Sequence, residues 1–111
     1  MIRARVERVA GVVTAFRVSG HGGYGEAGED VVCAAVSALV LNAVNSCEQL
    51  LGVALPAEDD GDVLSCSVPD AVRDDSGIQL LLESMWFGLQ QTAEQYPHHI
   101  TLREIRLDQK E

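Results

Sequence analysis

Basic residues are scarce in this sequence of 111 residues. Eight lysines and arginines stand against 17 aspartates and glutamates, which gives a net charge of −9. Proteins that bind nucleic acid rely on lysine and arginine to contact phosphates. The composition therefore predicts no direct nucleic-acid partner. It is compatible with a basic polypeptide substrate, although an acidic surface often serves only solubility.

Cysteine is also rare, and its three positions, Cys33, Cys47 and Cys66, lack the spacing of a metal or redox site. The sequence has no Cys-x-x-Cys pair, and the adjacent His98 and His99 fit no zinc-binding pattern. We therefore expect reduced thiols, no metal and no cofactor.

No secretory signal or long hydrophobic run is evident. The first residues alternate between basic and apolar types and have no apolar signal-peptide core. The longest apolar run, residues 31–44, is interrupted by Ser37 and Asn42 and is too short to span a bilayer. These features predict a cytoplasmic protein with no membrane partner.

The hydrophobic content of 47% and the presence of only three prolines predict one globular domain over residues 1–111. Hydrophobic periodicity predicts the order β-β-α-β-α-β. The predicted fold class is α/β in the broad sense, of α+β type: a mostly antiparallel sheet with two helices packed on one face. The predicted elements are strands over 2–8 and 12–19, a helix ending near Leu51, a strand over 63–68, a helix ending at Tyr96 and a strand over 100–107.

Several details of these elements are also predicted. Residues 52–61 are interpreted as a solvated connector, and Asp74, Asp75 or Ser76 as the cap of the second helix. Cys47 and Cys66 are expected to pack in the core. In the last strand the apolar phase slips after Leu102, which favours a bulge or early fraying.

The stretch from Gly20 to Ser37, GHGGYGEAGEDVVCAAVS, contains the candidate catalytic residues. A glycine-rich loop leads into an apolar helix and is expected to place Cys33 in the first helical turn, where the helix dipole favours a thiolate. His21 could accept the thiol proton and later donate it to a leaving amine. The same residues are compatible with a cysteine that only packs in the core.

This stretch resembles the signature of the ribosomal-processing cysteine protease family, Prp. The resemblance implies a small homodimeric α/β endopeptidase that removes a short N-terminal extension from a large-subunit ribosomal protein, the L-twenty-seven protein. It also implies that Cys33 and His21 are the catalytic pair. The matching residues are Gly20-His21, Gly23-Tyr24, Gly28-Glu29-Asp30 and the run from Val32 to Ser37.

Four further residues are assigned supporting or substrate-binding roles: Gly20, Tyr24, Asp30 and Ser37. Residues 22–28 are either a plain connector or a mobile cover over the cysteine, with Tyr24 contacting the substrate in the second case. Asp30 is interpreted as the N-cap of the first helix, which conflicts with a role as a third catalytic residue. Ser37 follows Cys33 by one turn on the same helix face.

Two other functional classes remain open at this level. One is a non-enzymatic, ribosome-associated binding protein, and the other is a cysteine hydrolase or acyltransferase that acts on a small molecule. The first helix is apolar around most of its circumference, so it needs a second cover besides the sheet, which is either the second helix or a second subunit. Together with the dimeric state that the resemblance implies, this predicts a homodimer.

Overall fold

The computed structural model describes residues 1–20 and 29–107 of the chain. Within these ranges the strands and helices occur close to the predicted positions. They are β1 (Ile2–Val9), β2 (Val12–Ser19), α1 (Glu29–Leu51), β3 (Ala57–Asp59), β4 (Val63–Ser67), α2 (Ser76–Gln95) and β5 (Ile100–Arg106), with a short 3-10 turn over Asp70–Val72.

The five strands form one sheet in the order β3-β4-β2-β1-β5. Three of the four strand pairs are antiparallel, which confirms a mostly antiparallel sheet. The exception is β1 with β5, a parallel pair that makes the sheet mixed. β3 lies inside the segment predicted to be a connector. The prediction of a connector was therefore wrong for these three residues. The strand lies at the edge of the sheet and two of its residues, Glu58 and Asp59, are exposed, so its sequence shows no alternation of apolar and polar residues.

Both helices contribute to the same buried cluster as the inward side of the sheet, as the predicted one-sided packing requires. Alternate residues of the strands point into this cluster, as expected for half-buried strands. The main members are Ile2, Ala4, Val6, Phe16, Val18, Leu64 and Cys66 from the sheet, Val32, Cys33, Val36, Val40, Ala43 and Cys47 from α1, and Ile78, Leu82, Met85, Trp86 and Leu89 from α2.

The ends and lengths of the helices bear on two of the predictions. Asp75 caps α2, since its Oδ1 accepts a hydrogen bond of 2.9 Å from the backbone N–H of Ile78. Residues 30–51 of α1 are long and apolar enough to cross a membrane by length and composition, with a mean hydropathy of 1.6. The prediction that this segment is too short to span a bilayer was therefore wrong as regards length and composition. The inward stripe of α1 nevertheless packs on the sheet, as in a core helix.

The apolar phase slip in the last strand has a different cause from the predicted bulge or fraying. β5 pairs with β1 in regular register, and Glu104 occupies an inward position next to the buried Arg8. Arg8 Nε donates to Glu104 Oε1 at 2.6 Å, and the same guanidinium forms a second, two-pronged ion pair with Glu83 of α2. An ion pair therefore replaces an apolar contact here. The register shift of the sheet lies elsewhere, between Glu7 and Arg8 in the β1–β2 pair.

We predict that Glu104→Gln destabilises the fold in a pH-dependent way. The hydrogen bond from Arg8 holds the pKa of the Glu104 carboxyl below its ordinary value. The ionised Glu104 carboxylate therefore stabilises the folded protein fully above the pKa of glutamate in the unfolded chain, about 4.3. This stabilisation is lost as the pH falls through the lower pKa of Glu104 in the folded protein. Since the side chain is one-third exposed, we expect a loss of about 1–2 kcal/mol at neutral pH.

The measurement is denaturant unfolding of the wild-type and variant proteins between pH 7 and the acid range. Glu94→Gln, which removes one exposed carboxylate from α2, is the matched control and should change stability little. A stability difference for Glu104→Gln that persists unchanged at acid pH would contradict the assignment of Glu104 to the Arg8 ion pair.

Candidate active site

Cys33 lies at the N-terminal end of α1, facing the end of β2. It is the fifth residue of the helix, so it begins the second turn and not the first turn as predicted. Because the effect of the helix dipole declines within the first turn, less of it reaches this thiol than the sequence suggested. The residue is 3% exposed, and its Sγ donates to the backbone carbonyl oxygen of Gly20 at 3.5 Å. The structure thus brings Cys33 together with Gly20, one of the predicted supporting residues.

Gly20 occupies a position that requires glycine. Its φ angle is +81°, and a Cβ atom built on it would lie 2.6 Å from the carbonyl oxygen of Met1. Its N–H donates to the carbonyl oxygen of Asp62 at 3.0 Å, just before β4. Met1 and Asp62 were not predicted to border the site. They do so through their backbones, so no side-chain pattern in the sequence could have indicated them.

Asp30 does not have the predicted capping role. α1 begins at Glu29, so Asp30 already lies inside the first helical turn. Its Oδ1 accepts from the N–H of the next residue, Val31, at 3.0 Å, and not from Val32 or Cys33. The side chain is exposed. A cap at Asp30 predicts a helix that starts at Val31, so the predicted start differs from the observed one by two residues, which is within the usual uncertainty of helix ends.

The other predicted site residues are only partly located. Ser37 is half-buried and follows Cys33 by one turn of α1. Its supporting role stays a prediction. His21 and Tyr24 lie in residues 21–28, which are outside the described residues, as does the proposed cover over the cysteine. His21 directly follows Gly20 in the chain, whose carbonyl oxygen contacts the Cys33 thiol.

The two remaining cysteines are buried and free, and they belong to the core as predicted. Burial raises the pKa of the Cys47 thiol, and burial raises the pKa of Cys66 to about 11. Both thiols are therefore protonated at neutral pH, which makes them poor nucleophiles. Among residues 1–20 and 29–107, no group of three or more His, Cys, Asp or Glu side chains could hold a metal ion.

Comparison with known proteins identifies the family. Residues 1–101 match the family described as "Cysteine protease Prp". The Ribosomal processing cysteine protease Prp of Bacillus subtilis is 31% identical over 106 residues, which cover 90% of this chain and 94% of that protein. The corresponding protein of Staphylococcus aureus is 33% identical over 97 residues, 83% of this chain and 87% of its own length.

Solved structures agree with this result. The crystal structure of SMU.848 from Streptococcus mutans has a TM-score of 0.88 and 33% identity, covering 96% of this chain and 95% of its own. The Prp protease of S. aureus in complex with a substrate peptide has a TM-score of 0.78 and 28% identity, covering 94% of this chain and 99% of its own. With its sequence and its fold in agreement, this chain belongs to the Prp family of ribosomal-processing cysteine proteases.

Proposed function

We propose that this protease removes the N-terminal extension of a large-subunit ribosomal protein, the L-twenty-seven protein, with Cys33 as nucleophile and His21 as general acid and base. The observation that carries the proposal is the contact of the Cys33 thiol with the carbonyl of Gly20, the residue that immediately precedes His21. The relatives named as ribosomal processing proteases support the substrate class, and the complex of one relative with a substrate peptide supports a peptide substrate.

In the proposed reaction, the proton of the Cys33 thiol passes to the His21 imidazole and the thiolate attacks the scissile carbonyl carbon. Backbone N–H groups at the start of α1 stabilise the oxyanion that forms. His21 then donates its proton to the leaving amine, the C–N bond breaks, and a thioester remains on Cys33. The leaving amine is the new N-terminus of the shortened ribosomal protein. Water, deprotonated by His21, then attacks the thioester and releases the cleaved extension with a free carboxyl group, and the thiol of Cys33 is restored.

The resting position of the thiol bears on how this reaction starts. The Sγ–H donates to a backbone carbonyl, which is too weakly basic to remove the proton. With an exposed fraction of 3%, the thiol is also covered on almost all sides. The proposed reaction therefore requires peptide binding to uncover the thiol and redirect its proton from Gly20 to His21.

We also propose that the protease is a homodimer. α1 has a second apolar stripe opposite to its buried one, formed by the exposed residues Val31, Ala34, Ala38 and Leu41 at three- and four-residue spacing. On α2, Phe87 is also exposed, with 59% of its surface accessible. Within the described parts of the chain no element covers this stripe, and a second copy would bury it by the hydrophobic effect.

We predict that Cys33→Ala and His21→Ala each abolish cleavage of a peptide that spans the N-terminal extension of the organism's own ribosomal protein. Cys33→Ala removes the nucleophile, and His21→Ala removes the proton carrier. His98→Ala, which removes an exposed histidine after α2, should cleave at the wild-type rate.

The measurement is peptide cleavage followed by mass spectrometry, with alkylation of Cys33 near neutral pH as a second readout. Cys47 and Cys66, whose pKa values are raised, should stay unmodified in the folded protein. Undiminished cleavage by Cys33→Ala would refute the assigned nucleophile. Turnover of small esters combined with no cleavage of any extension peptide would favour the small-molecule hydrolase.

We predict that Gly20→Ala lowers the rate of peptide cleavage, and that it lowers this rate more than an alanine at another glycine with a positive φ. The new Cβ would collide with the carbonyl of Met1 and displace the carbonyl that contacts Cys33. Gly11→Ala is the matched control, because Gly11 also has a positive φ, +85°, but no atom within 4 Å of a built Cβ.

Both variants should lose about 1–2 kcal/mol of stability from the strained φ, and Gly20→Ala should lose more because its Cβ also meets the backbone of Met1. Only Gly20→Ala should also change the rate of peptide cleavage and of Cys33 alkylation. Thermal unfolding and the two rate assays separate these effects. Equal losses of cleavage in the two variants would argue against a role for Gly20 in positioning Cys33.

We predict that Leu41→Glu shifts the protein from dimer to monomer, because it places a charge in the exposed stripe of α1. Leu50→Glu, which places the same charge at an exposed leucine of α1 outside the stripe, should leave the assembly unchanged. Sedimentation velocity at micromolar concentration measures both. A wild-type protein that sediments as a monomer would exclude the proposed homodimer.

A further inference from the structure

The side of the sheet that faces away from the helices carries an unusual concentration of positive charge. Four arginines, Arg3, Arg5, Arg17 and Arg103, occupy the outward positions of β1, β2 and β5. They are half of the eight basic residues in a chain of net charge −9. We call these four residues the arginine face. Within residues 1–20 and 29–107 no helix covers it, since both helices pack on the opposite side.

The strand register places three of these arginines side by side. Arg5 of β1 is the direct partner of Arg17 in β2 and of Arg103 in β5. Adjacent strands are about 4.8 Å apart, so the row carries three positive charges within about 10 Å. Arg3 adds a fourth charge on the same side of β1. Like charges directly opposite each other destabilise a sheet, so this row is not explained by the stability of the fold.

Within the described residues, only one ion pair involves the row. Arg5 has one weak partner, Glu7, at 3.6 Å. In the described residues, Arg3, Arg17 and Arg103 form no salt bridge. The three other described arginines, Arg8, Arg73 and Arg106, are each paired with an acidic side chain. Glu58 lines neighbouring grooves beside Arg17, so carboxylates border the arginine face on the β4 side. The groove between the four arginines has no acidic residue in its lining.

The shape and chemistry of the face are those of an anion site. The four arginines line a groove of about 330 Å³, together with the hydroxyl-bearing Ser19 and Thr101. In register these two residues flank Arg3 on the neighbouring strands. The groove lining includes no aromatic, Leu, Ile or Met side chain. Such side chains form the centre of most protein–protein interfaces, whereas guanidinium and hydroxyl groups are the usual ligands of phosphate oxygens.

We propose that the arginine face binds the phosphodiester backbone of RNA. A row of closely spaced guanidinium groups without apolar anchors complements a regular series of phosphates better than it complements a folded protein surface. The choice of RNA among polyanions rests on the proposed function, because the proposed substrate is a component of the ribosome and binds close to ribosomal RNA. Since charges are screened over about 8 Å at physiological salt, the net charge of the chain does not decide this local interaction.

The position of the face is compatible with catalysis on a substrate that is already near RNA. Ser19 borders the groove, and the next residue, Gly20, contacts the Cys33 thiol. RNA held on the outer side of the sheet would therefore lie close to the end of β2, which contacts the Cys33 thiol through Gly20. It would not need to enter the active site, since the thiol belongs to the helix-covered side.

The test measures binding of a fluorescent single-stranded oligouridylate to the full chain by anisotropy over a series of salt concentrations. Three or four phosphate contacts predict a slope of log K against log salt of about −2 to −3. Arg5→Gln, Arg17→Gln and Arg103→Gln should each weaken binding several-fold and make the slope shallower by about 0.7. Each variant should melt no lower than the wild type, because it relieves repulsion in the row.

Arg106→Gln is the matched control. It removes the same charge from the same strand as Arg103, but Arg106 pairs with Glu104 and lies outside the row. No binding by the wild type, or equal weakening by Arg106→Gln, would overturn the proposal. Polyglutamate that competes as well as RNA would also overturn it, in favour of an acidic protein partner.

Cleavage of the free extension peptide by the same proteins separates this proposal from the proposed function. If the arginine face acts only through RNA, the three row variants should cleave the free peptide at the wild-type rate. A wild type that cleaves the peptide but does not bind RNA refutes the arginine-face proposal alone. A wild type that binds RNA through the row but does not cleave the peptide refutes the proposed substrate alone.

Discussion

The close approach of Gly20 to the first residues of the chain is the constraint on which the site depends. Gly20 fits against the carbonyl of Met1 only because it has no Cβ, and its amide is bound to Asp62 before β4. These contacts fix the end of β2 between two neighbouring strands. The carbonyl oxygen of Gly20 then accepts a hydrogen bond from the Cys33 thiol on α1. The sheet thereby sets where the Gly20 carbonyl contacts the thiol.

Much of the fold was predictable because its elements have strong periodicity. β2 was predicted at its observed bounds, and Asp75 was among the three residues proposed to cap α2. Two features were not predictable from local patterns. β3 is a short acidic edge strand, and the β1–β5 pair joins distant segments in parallel. The inward Glu104 looked like an irregularity of the strand because its partner, Arg8, is 96 residues away in the sequence.

The site was predictable in a different way. Its residues were found through a family signature and not through geometry, since a glycine-rich stretch before a helix does not fix the path of the backbone. Cys33 was correctly placed near the start of α1 but two residues closer to it than observed, and Asp30 was given a cap role that the helix start at Glu29 excludes. Net charge was a poor guide to surface chemistry, because it does not show that four arginines share one side of the sheet.

The parallel pairing of β1 with β5 has a consequence for how the chain folds. β1 can pair with β2 as soon as the hairpin is made, but its other edge stays open until residues from the far end of the sequence arrive. Such non-local pairing slows folding, because the entropy of closing a long loop is lost before the contact forms. Until then, an unpaired strand edge next to a half-formed core can pair with another chain. Early intermediates of this protease should therefore be its most aggregation-prone species.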